Sequence, residues 1–157
     1  MAASTRTELT SEVAAALRRY MEEAVELDQA LADRAGIGLT DLRCLILLQR
    51  HDGRMTAGTL AELSRLTTGA VTGVINRLER SGLAHRAADP RDGRRVIVEI
   101  DETARDRGRQ VLAPRAAADD AVLGRYDADE LAVLLDLLRD AAARTAEQIT
   151  ELRAQED

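Results

Sequence analysis

The arginines between Arg65 and Arg95 are the side chains whose type and spacing could do chemistry in this chain. The segment holds seven Arg and three acidic residues, a net charge of +4, so the remainder of a chain with a total charge of −6 carries −10. A basic region in an acidic protein attracts a polyanion to one face and repels it elsewhere. The distribution therefore indicates nucleic-acid binding or, alternatively, chance clustering in a chain whose 22 basic side chains are all Arg.

A short helix, a turn and a second helix are predicted to position these arginines. Thr56 is a suitable N-cap for the first helix, and the turn falls near residues 65–67. The second helix runs from about Thr68 to Ser81, and its apolar residues repeat at helical spacing. The residues expected to be buried in the two helices are Leu60, Ala61, Leu63, Val71, Val74, Ile75 and Leu78.

The opposite face of the second helix carries small residues near its N-terminus and polar or basic residues further on. A helix that reads DNA needs such a surface, because its first turns approach the base edges closely. Gly69 and Gly73 either permit that approach or loosen the reading end, since each weakens an isolated helix by about 1 kcal/mol relative to Ala. The face comprises Thr68, Gly69, Thr72, Gly73, Asn76 and Arg77.

A β-hairpin is predicted after the second helix. Residues 83–87 alternate like a strand, residues 88–93 are rich in turn formers, and residues 94–100 are rich in β-branched side chains. The arginines at or near the predicted tip are Arg91, Arg94 and Arg95. A basic tip can enter a minor groove or straddle phosphates, or it can be a solvated turn that only closes the hairpin.

Long amphipathic helices flank this region. The first is predicted from about Thr10 to Arg34, and the last opens with a capping box at residues 127–130. Their apolar stripes are long for a monomer to cover, which predicts a two-fold dimer or, alternatively, an intramolecular bundle. The stripes are Val13, Leu17, Tyr20, Ala24, Leu27 and Leu31 in the first helix, and Leu131, Leu134, Leu135, Leu138, Ala142, Thr145, Ile149 and Leu152 in the last.

Two further helices connect these parts. Thr40 is the predicted N-cap of a helix over residues 41–51, and Asp101 the predicted cap of one that continues to about Leu123. Pro114 lies inside the latter and is expected to kink or split it, because its ring lacks an N–H donor and clashes with the preceding turn. The residues expected to face inward in the former are Leu42, Leu45, Ile46 and Leu48.

Composition limits the function classes. Only two aromatic residues are present, so an aliphatic core of packed helices is favoured, and the single Cys44 is interpreted as a packing residue in a reducing compartment. No membrane span or secretory signal is recognised, which predicts a cytoplasmic protein. His51 and His85 are isolated, and no nucleophile–base pair or phosphate loop is found. We therefore expect no enzyme, no metal and no cofactor, and a winged protein-interaction module is the main alternative to DNA binding.

Taken in order, these motifs resemble the MarR family, the multiple antibiotic resistance regulators, over nearly the whole chain. The matching motifs are Leu39-Thr40, Thr67-Thr68-Gly69-Ala70-Val71-Thr72, Arg77-Leu78-Glu79, Gly82-Leu83 and Asp89-Pro90-Arg91-Asp92-Gly93-Arg94. The resemblance implies a mainly α fold with a small β-wing, in a single domain over residues 1–157. A winged helix-turn-helix lobe at 39–100 would lie between dimerisation helices at 10–38 and 101–154.

The resemblance also implies roles for residues. The recognition helix, Thr67 to Ser81, would lie in the major groove of double-stranded DNA. Arg94 of the wing would reach the minor groove, with Asp92 bracing the wing. A homodimer on a pseudo-palindromic operator is implied, more often a repressor than an activator. One contact is expected to be missing at Gly73, where many relatives carry a larger, often basic side chain.

An effector is implied as well. In the family, phenolic or other aromatic small molecules bind between the DNA-binding lobe and the dimerisation helices and weaken DNA binding. Tyr20 and Tyr126 are the only aromatic candidates for contacting such a molecule, so a regulator without an effector is an alternative. The reactive Cys that the peroxide-sensing branch carries near the start of the first helix is absent, so thiol sensing is not expected.

Overall fold

The computed structural model describes residues 5–88 and 96–155. The elements in chain order are α1 (Arg6–Ala35), α2 (Leu39–Arg50), β1 (Arg54–Thr56), α3 (Ala57–Ser64), α4 (Thr68–Arg80), β2 (His85–Ala88), β3 (Val96–Glu99), α5 (Glu102–Leu123) and α6 (Ala128–Ala154). The chain divides into two compact units, Met1–Pro114 and Arg115–Asp157. The helices and the small sheet confirm the predicted mainly α fold with a β-wing.

Three antiparallel strands form the sheet, in the order β1-β3-β2. Val98 of β3 pairs with Met55 on one side and with Arg86 on the other. The predicted hairpin is therefore present, and Arg54–Thr56, which was not predicted as a strand, adds a third strand to it. Met55 and Val98 are both buried, so the sheet closes one side of the core. The hairpin tip, residues 89–95, lies outside the described residues.

The core of the first unit is built mainly from α2, α3, α4 and the sheet, with buried residues added by the end of α1 and the start of α5. Its most deeply buried side chains are Leu42, Leu45, Leu48, Leu60, Val71, Val74, Ile75, Leu78 and Val98. The predicted buried faces of α2 and α4 are thus confirmed, apart from Ile46, which is half-buried. Cys44 is fully buried in this core, as predicted for a packing residue, and burial raises the pKa of its thiol.

The prediction that Leu63 is buried is wrong, because its side chain is 42% exposed. The chain turns back after α3 through Arg65, whose φ of 57° is left-handed. This turn returns Leu66 to the core, and its N–H donates to the carbonyl of Ala61 at 3.0 Å. Leu66 therefore packs where Leu63 was expected, and Leu63 is left on the outer surface of α3.

The helix ends match the predicted caps at Thr56 and Asp127, and Thr67, placed in the predicted turn, is the N-cap of α4. The start of α2 requires a correction. Its N-cap is Gly38 and not Thr40, which is already helical. The reason is the side chain of Asp41, whose Oδ2 accepts from the N–H of Gly38 at 3.1 Å and so fixes the helix start two residues earlier.

Pro114 does not split α5, which is continuous from Glu102 to Leu123. A proline at position 114 has no N–H to offer to the carbonyl of Gln110, one turn earlier. Arg34, at the end of α1, supplies a donor instead. Its Nη2 donates to the carbonyl oxygen of Gln110 at 3.1 Å and to that of Val111 at 3.3 Å. A side chain from another helix thus satisfies the backbone group that the proline leaves unpaired.

The predicted apolar stripes of the terminal helices are only partly covered. α1 buries only Leu31 and Ala32, and α6 has no buried residue. Large apolar residues exposed on these helices are Leu9, Val13, Tyr20, Met21 and Val25 of α1, and Val133, Leu135, Leu137, Leu138 and Leu152 of α6. Among the described helices, none is both long and apolar enough to cross a membrane.

Candidate nucleic-acid interface

The outer face of α4 presents the residues predicted to read DNA. Thr67 begins the helix by accepting a hydrogen bond from the N–H of Ala70 at 3.3 Å. The hydroxyl of Thr72 donates to the carbonyl of Thr68 at 2.9 Å, which leaves the Thr72 oxygen as an acceptor towards solvent. The predicted residues that the structure exposes on this face are Thr67, Thr68, Gly69, Thr72, Asn76 and Arg77.

The two glycines of α4 have no packing requirement in the first turns of the helix. A Cβ added at Gly69 would meet nothing within 4 Å. A Cβ added at Gly73, which is half-buried, would meet only Nη1 of Arg77 at 3.3 Å, the end of a long side chain. The fold of the chain therefore does not explain why glycine stands at position 69.

Arg77 binds a buried carboxylate. Its Nε and Nη2 each donate to Asp41 at 2.8 Å, in a bidentate pair that joins α4 to the start of α2. The Asp41 side chain is fully buried, whereas that of Arg77 is 46% exposed. The hydrogen bond to Asp41 raises the pKa of Arg77, so the guanidinium stays charged. Two of its nitrogens are thus engaged within the protein, a role that the sequence analysis missed for both residues.

A second ion pair joins α4 to β2. The backbone N–H of Arg86 donates to Oε1 of Glu79 at 2.9 Å, and its guanidinium contacts Oε2 of the same carboxylate. Nη2 of Arg86 also donates to Oδ1 of Asn76 at 2.7 Å. Neither Glu79 nor Arg86 was predicted as a site residue, because nothing in the sequence spacing shows that a strand residue reaches back along the preceding helix.

His85 is not isolated, contrary to the sequence prediction. Pairing of β2 with β3 places it opposite Glu99, whose Oε2 lies 3.6 Å from its Nε2. Its Nδ1 lies 3.7 Å from Oδ2 of Asp101, and Arg54 of β1 binds Glu99 at 2.9 Å. In the described part of the chain, no group of three or more His, Cys, Asp or Glu is placed to hold a metal ion.

The predicted wing residues Arg91, Asp92, Arg94 and Arg95 lie outside the described residues, so their roles stay predictions. The strands on either side are described up to Ala88 and from Val96, which pair with each other. This pair closes the hairpin stem, and Val96 is 44% exposed. Ala88 and Val96 therefore lie at neighbouring backbone positions.

A cleft of about 330 Å³ lies in the first unit, beside the end of α1. Its lining residues are Arg34, Ala35, Ser81, Leu83, Arg107, Gln110 and Val111. Tyr20 and Tyr126 do not line it, and both are exposed, so neither is a core residue of the single chain. Their contact with an effector stays a prediction.

Comparison with known proteins identifies relatives of this fold. The sequence profile of the MarR family matches residues 35–95, which contain α2 to α4 and the first two strands. An uncharacterised HTH-type transcriptional regulator of Bacillus subtilis, YcgE, is 29% identical over 96% of this chain and 97% of its own. The Mycobacterium bovis HTH-type regulator Mb0904 is 34% identical, over 65% of this chain and 73% of its own.

The solved structures include proteins of the same architecture. The structure of the transcriptional regulator PcaV from Streptomyces coelicolor, in complex with its natural ligand, is similar to this chain with a TM-score of 0.56. The two sequences are 26% identical, and the match covers 91% of this chain and 98% of that one.

Proposed function

This chain belongs to the MarR family of transcriptional regulators, and we propose that it is a cytoplasmic, homodimeric repressor that binds a pseudo-palindromic operator in double-stranded DNA. The observation that carries the proposal is the exposed polar face of α4, a helix that the rest of the first unit holds in place. The apolar face of α4 is buried in the core, Arg77 ties it to α2, and Glu79 ties it to β2. A helix that reads base edges must be held rigidly by its supporting residues.

Within this proposal, Thr67, Thr68, Thr72 and Asn76 contact bases or phosphates in the major groove, and Gly69 and Gly73 allow the backbone to approach. Arg77 can offer its half-exposed guanidinium to DNA while Nε and Nη2 remain bound to Asp41. Arg94 enters the minor groove, Arg91 and Arg95 hold phosphates beside it, and Asp92 braces the wing. The net charge of +4 over residues 65–95 in an acidic chain supports this orientation towards DNA.

The dimer is proposed from the uncovered apolar residues of the terminal helices. Members of the family act as dimers, and burying such stripes between two copies is the usual way in which helices of this kind are covered. A two-fold axis would present two copies of α4 at half-sites about one helical turn, ~34 Å, apart. The operator would then share the symmetry of the protein.

We further propose that a small aromatic or phenolic molecule weakens DNA binding, with Tyr20 and Tyr126 as contact residues. PcaV, whose structure contains its natural ligand, supports the idea that a protein of this architecture can hold a small molecule. A coupling of ~1–3 kcal/mol between effector and DNA would change affinity 5- to 150-fold. A regulator that needs no effector is the alternative.

Selection of bound sites from random double-stranded DNA by the full-length protein tests the proposal. Recovery of one inverted repeat, together with a dimer mass by light scattering, is the expected result. A protein that enriches no sequence, or that binds as a monomer to an asymmetric site, would contradict it. Binding to the recovered site is then measured with and without candidate aromatic carboxylates and phenols, and a loss of affinity identifies an effector.

A matched pair of variants tests the assignment of α4. Thr68→Glu and Thr103→Glu each place an acid at an exposed threonine in the first turn of a helix, where a negative charge suits the helix dipole. Both variants should fold normally. Only Thr68→Glu should lose operator binding, because only there would the carboxylate face the DNA backbone. Equal binding by the two variants would remove α4 from the interface.

A further inference from the structure

We propose that Arg86 is a positioning residue that orients Asn76 as a hydrogen-bond donor and thereby makes this position of the recognition helix select guanine. The inference rests on the proposed function, since it assumes that α4 enters the major groove. It goes beyond that function because it names the base edge that one side chain recognises and the residue outside α4 that sets the preference.

The orientation of Asn76 is determined by the chemistry of its partner. Nη2 of Arg86 lies 2.7 Å from the side-chain oxygen of Asn76. A guanidinium can only donate hydrogen bonds, so the atom that faces it must be the amide oxygen and not the amide nitrogen. The NH2 group of Asn76 therefore points away from Arg86. Within residues 5–88 and 96–155 it has no hydrogen-bond acceptor, and the residue is exposed.

Arg86 is itself held in place. Glu79 accepts from the backbone N–H of Arg86 at 2.9 Å and also binds its guanidinium. The two side chains are only about one-third exposed, at 32% for Arg86 and 30% for Glu79, so water competes less for this pair than for a surface pair. The hydrogen bond to Asn76 is thus offered by a charged group whose position is fixed by the helix and the strand together.

This arrangement changes what Asn76 can read. An asparagine that recognises adenine uses both ends of its amide: the oxygen accepts from N6–H and the NH2 group donates to N7. In this protein the oxygen already accepts a charge-assisted hydrogen bond, which is stronger than a neutral one. The NH2 group remains, and it matches guanine best, because guanine presents two adjacent acceptors, O6 and N7, in the major groove, whereas adenine and thymine each present one, N7 and O4.

The test is to select the DNA sites that the full-length protein and its variants bind from a random double-stranded library, and to compare the base preferences of those sites. The wild type should prefer guanine roughly tenfold at one base pair of each half-site, the order of magnitude for one well-placed contact. Asn76→Ala should lose the preference at that base pair alone. Arg86→Ala frees the amide oxygen, so the same base pair should shift from guanine towards adenine while the other positions keep their preferences.

Asn76→Asp provides a variant that preserves the ion pairs, in case Arg86→Ala fails to fold. A carboxylate at position 76 can still accept from Arg86 but has no donor for DNA. The guanine preference should therefore disappear, and cytosine, whose N4 amino group is a donor, should replace it. Arg86→Lys should retain part of the guanine preference, because an ammonium can still donate to the Asn76 oxygen.

The outcomes separate the two proposals. A wild-type protein that selects no DNA sequence contradicts the proposed function and with it the inference. A wild-type site that contains clear half-sites, but whose base preferences are the same in Asn76→Asp and in Asn76→Ala as in the wild type, leaves the function standing and overturns the role of Asn76. An unchanged guanine preference in a folded Arg86→Ala protein overturns the positioning role of Arg86.

Discussion

The helices α2 to α4 bury their apolar faces within the chain, whereas α6 buries none of its residues. Both kinds of helix carry apolar residues at helical spacing, so the difference does not lie in their amphipathic pattern. It lies in what each helix packs against. The first unit closes its core with three helices and a sheet, and it adds ion pairs across helix ends. Within the second unit, α6 leaves its apolar side exposed, and the proposed dimer would cover it.

Contacts within the first unit and contacts made by the exposed stripe of α6 should contribute to stability in different ways. Interactions within the first unit should contribute the same free energy of unfolding at every protein concentration. Interactions of the exposed stripe of α6 should instead make the apparent stability depend on concentration, because they form only on association. Substitutions in the two regions can therefore be told apart by the same denaturation experiment at two concentrations.

The largest expected effect is that of Arg77→Ala, which would break the ion pair in the first unit. It leaves the fully buried Asp41 carboxylate without its cation. Because the Arg77 side chain is 46% exposed and solvent screens the pair, the expected loss is up to about 3 kcal/mol, below that for a fully buried pair. Asp41→Asn should cost less, because the half-exposed Arg77 can then be hydrated. Urea denaturation at two protein concentrations measures the free energy of unfolding of both variants.

Arg80→Ala is the control for this pair. Arg80 is exposed on the same helix and, among residues 5–88 and 96–155, donates only to the backbone carbonyl of Asn76, at 3.2 Å. Its loss should therefore change stability by less than about 1 kcal/mol. Equal effects of Arg77→Ala and Arg80→Ala would show that the pair between Arg77 and Asp41 does not anchor α4.

The next largest effect is expected in the other region. Leu138 is 49% exposed and lies on the apolar stripe of α6, so Leu138→Asp should cost the folded single chain little. In a dimer the same carboxylate would be buried without a partner, which should weaken the free energy of association by about 2 kcal/mol or more. Analytical ultracentrifugation over a range of concentrations measures the shift.

Val133→Asp is the matched control on α6. Val133 is 70% exposed and lies five residues before Leu138, off the stripe, so the same substitution should leave association unchanged. Dissociation by both variants alike would indicate a general loss of helix stability, and dissociation by neither would exclude the stripe from the interface.

A smaller effect is expected where α1 meets α5 inside the first unit. Arg34→Ala removes the donor that satisfies the Gln110 carbonyl, with an expected loss of about 0.5–1.5 kcal/mol. In a Pro114→Ala background the restored N–H at position 114 can bond to that carbonyl, so the same substitution should then cost almost nothing. A double-mutant cycle by thermal denaturation measures the coupling, and additive effects would rule out this compensation.

The sequence predicts the elements of the first unit well and their connections poorly. Periodic apolar residues suffice to predict α4, because their spacing is a local feature. The pairs of Arg77 with Asp41 and of Arg86 with Glu79 are not predictable in the same way, since spacing does not show which of many arginines meets which acid. The burial of Leu66 in place of Leu63 likewise depends on one left-handed residue, Arg65, which has no strong sequence signal.

The smallest effects are expected at the two glycines of α4, where stability and function can be separated. The Cβ added by Gly69→Ala would have no neighbour within 4 Å, so this substitution should stabilise the first unit by up to about 1 kcal/mol. Gly73→Ala should gain less, because its Cβ would lie 3.3 Å from Nη1 of Arg77, a group that the bond to Asp41 holds in place. Thermal denaturation measures both differences.

Operator binding by the same two variants then decides between the two explanations for the glycines. If glycine is present so that the backbone can approach the groove, each alanine should raise stability and weaken operator binding, since the added methyl group lies between the helix and the bases. If the glycines only loosen the reading end, binding should be equal or tighter. Gly69 is the sharper case, because no contact within the described chain competes with DNA for the space in front of it.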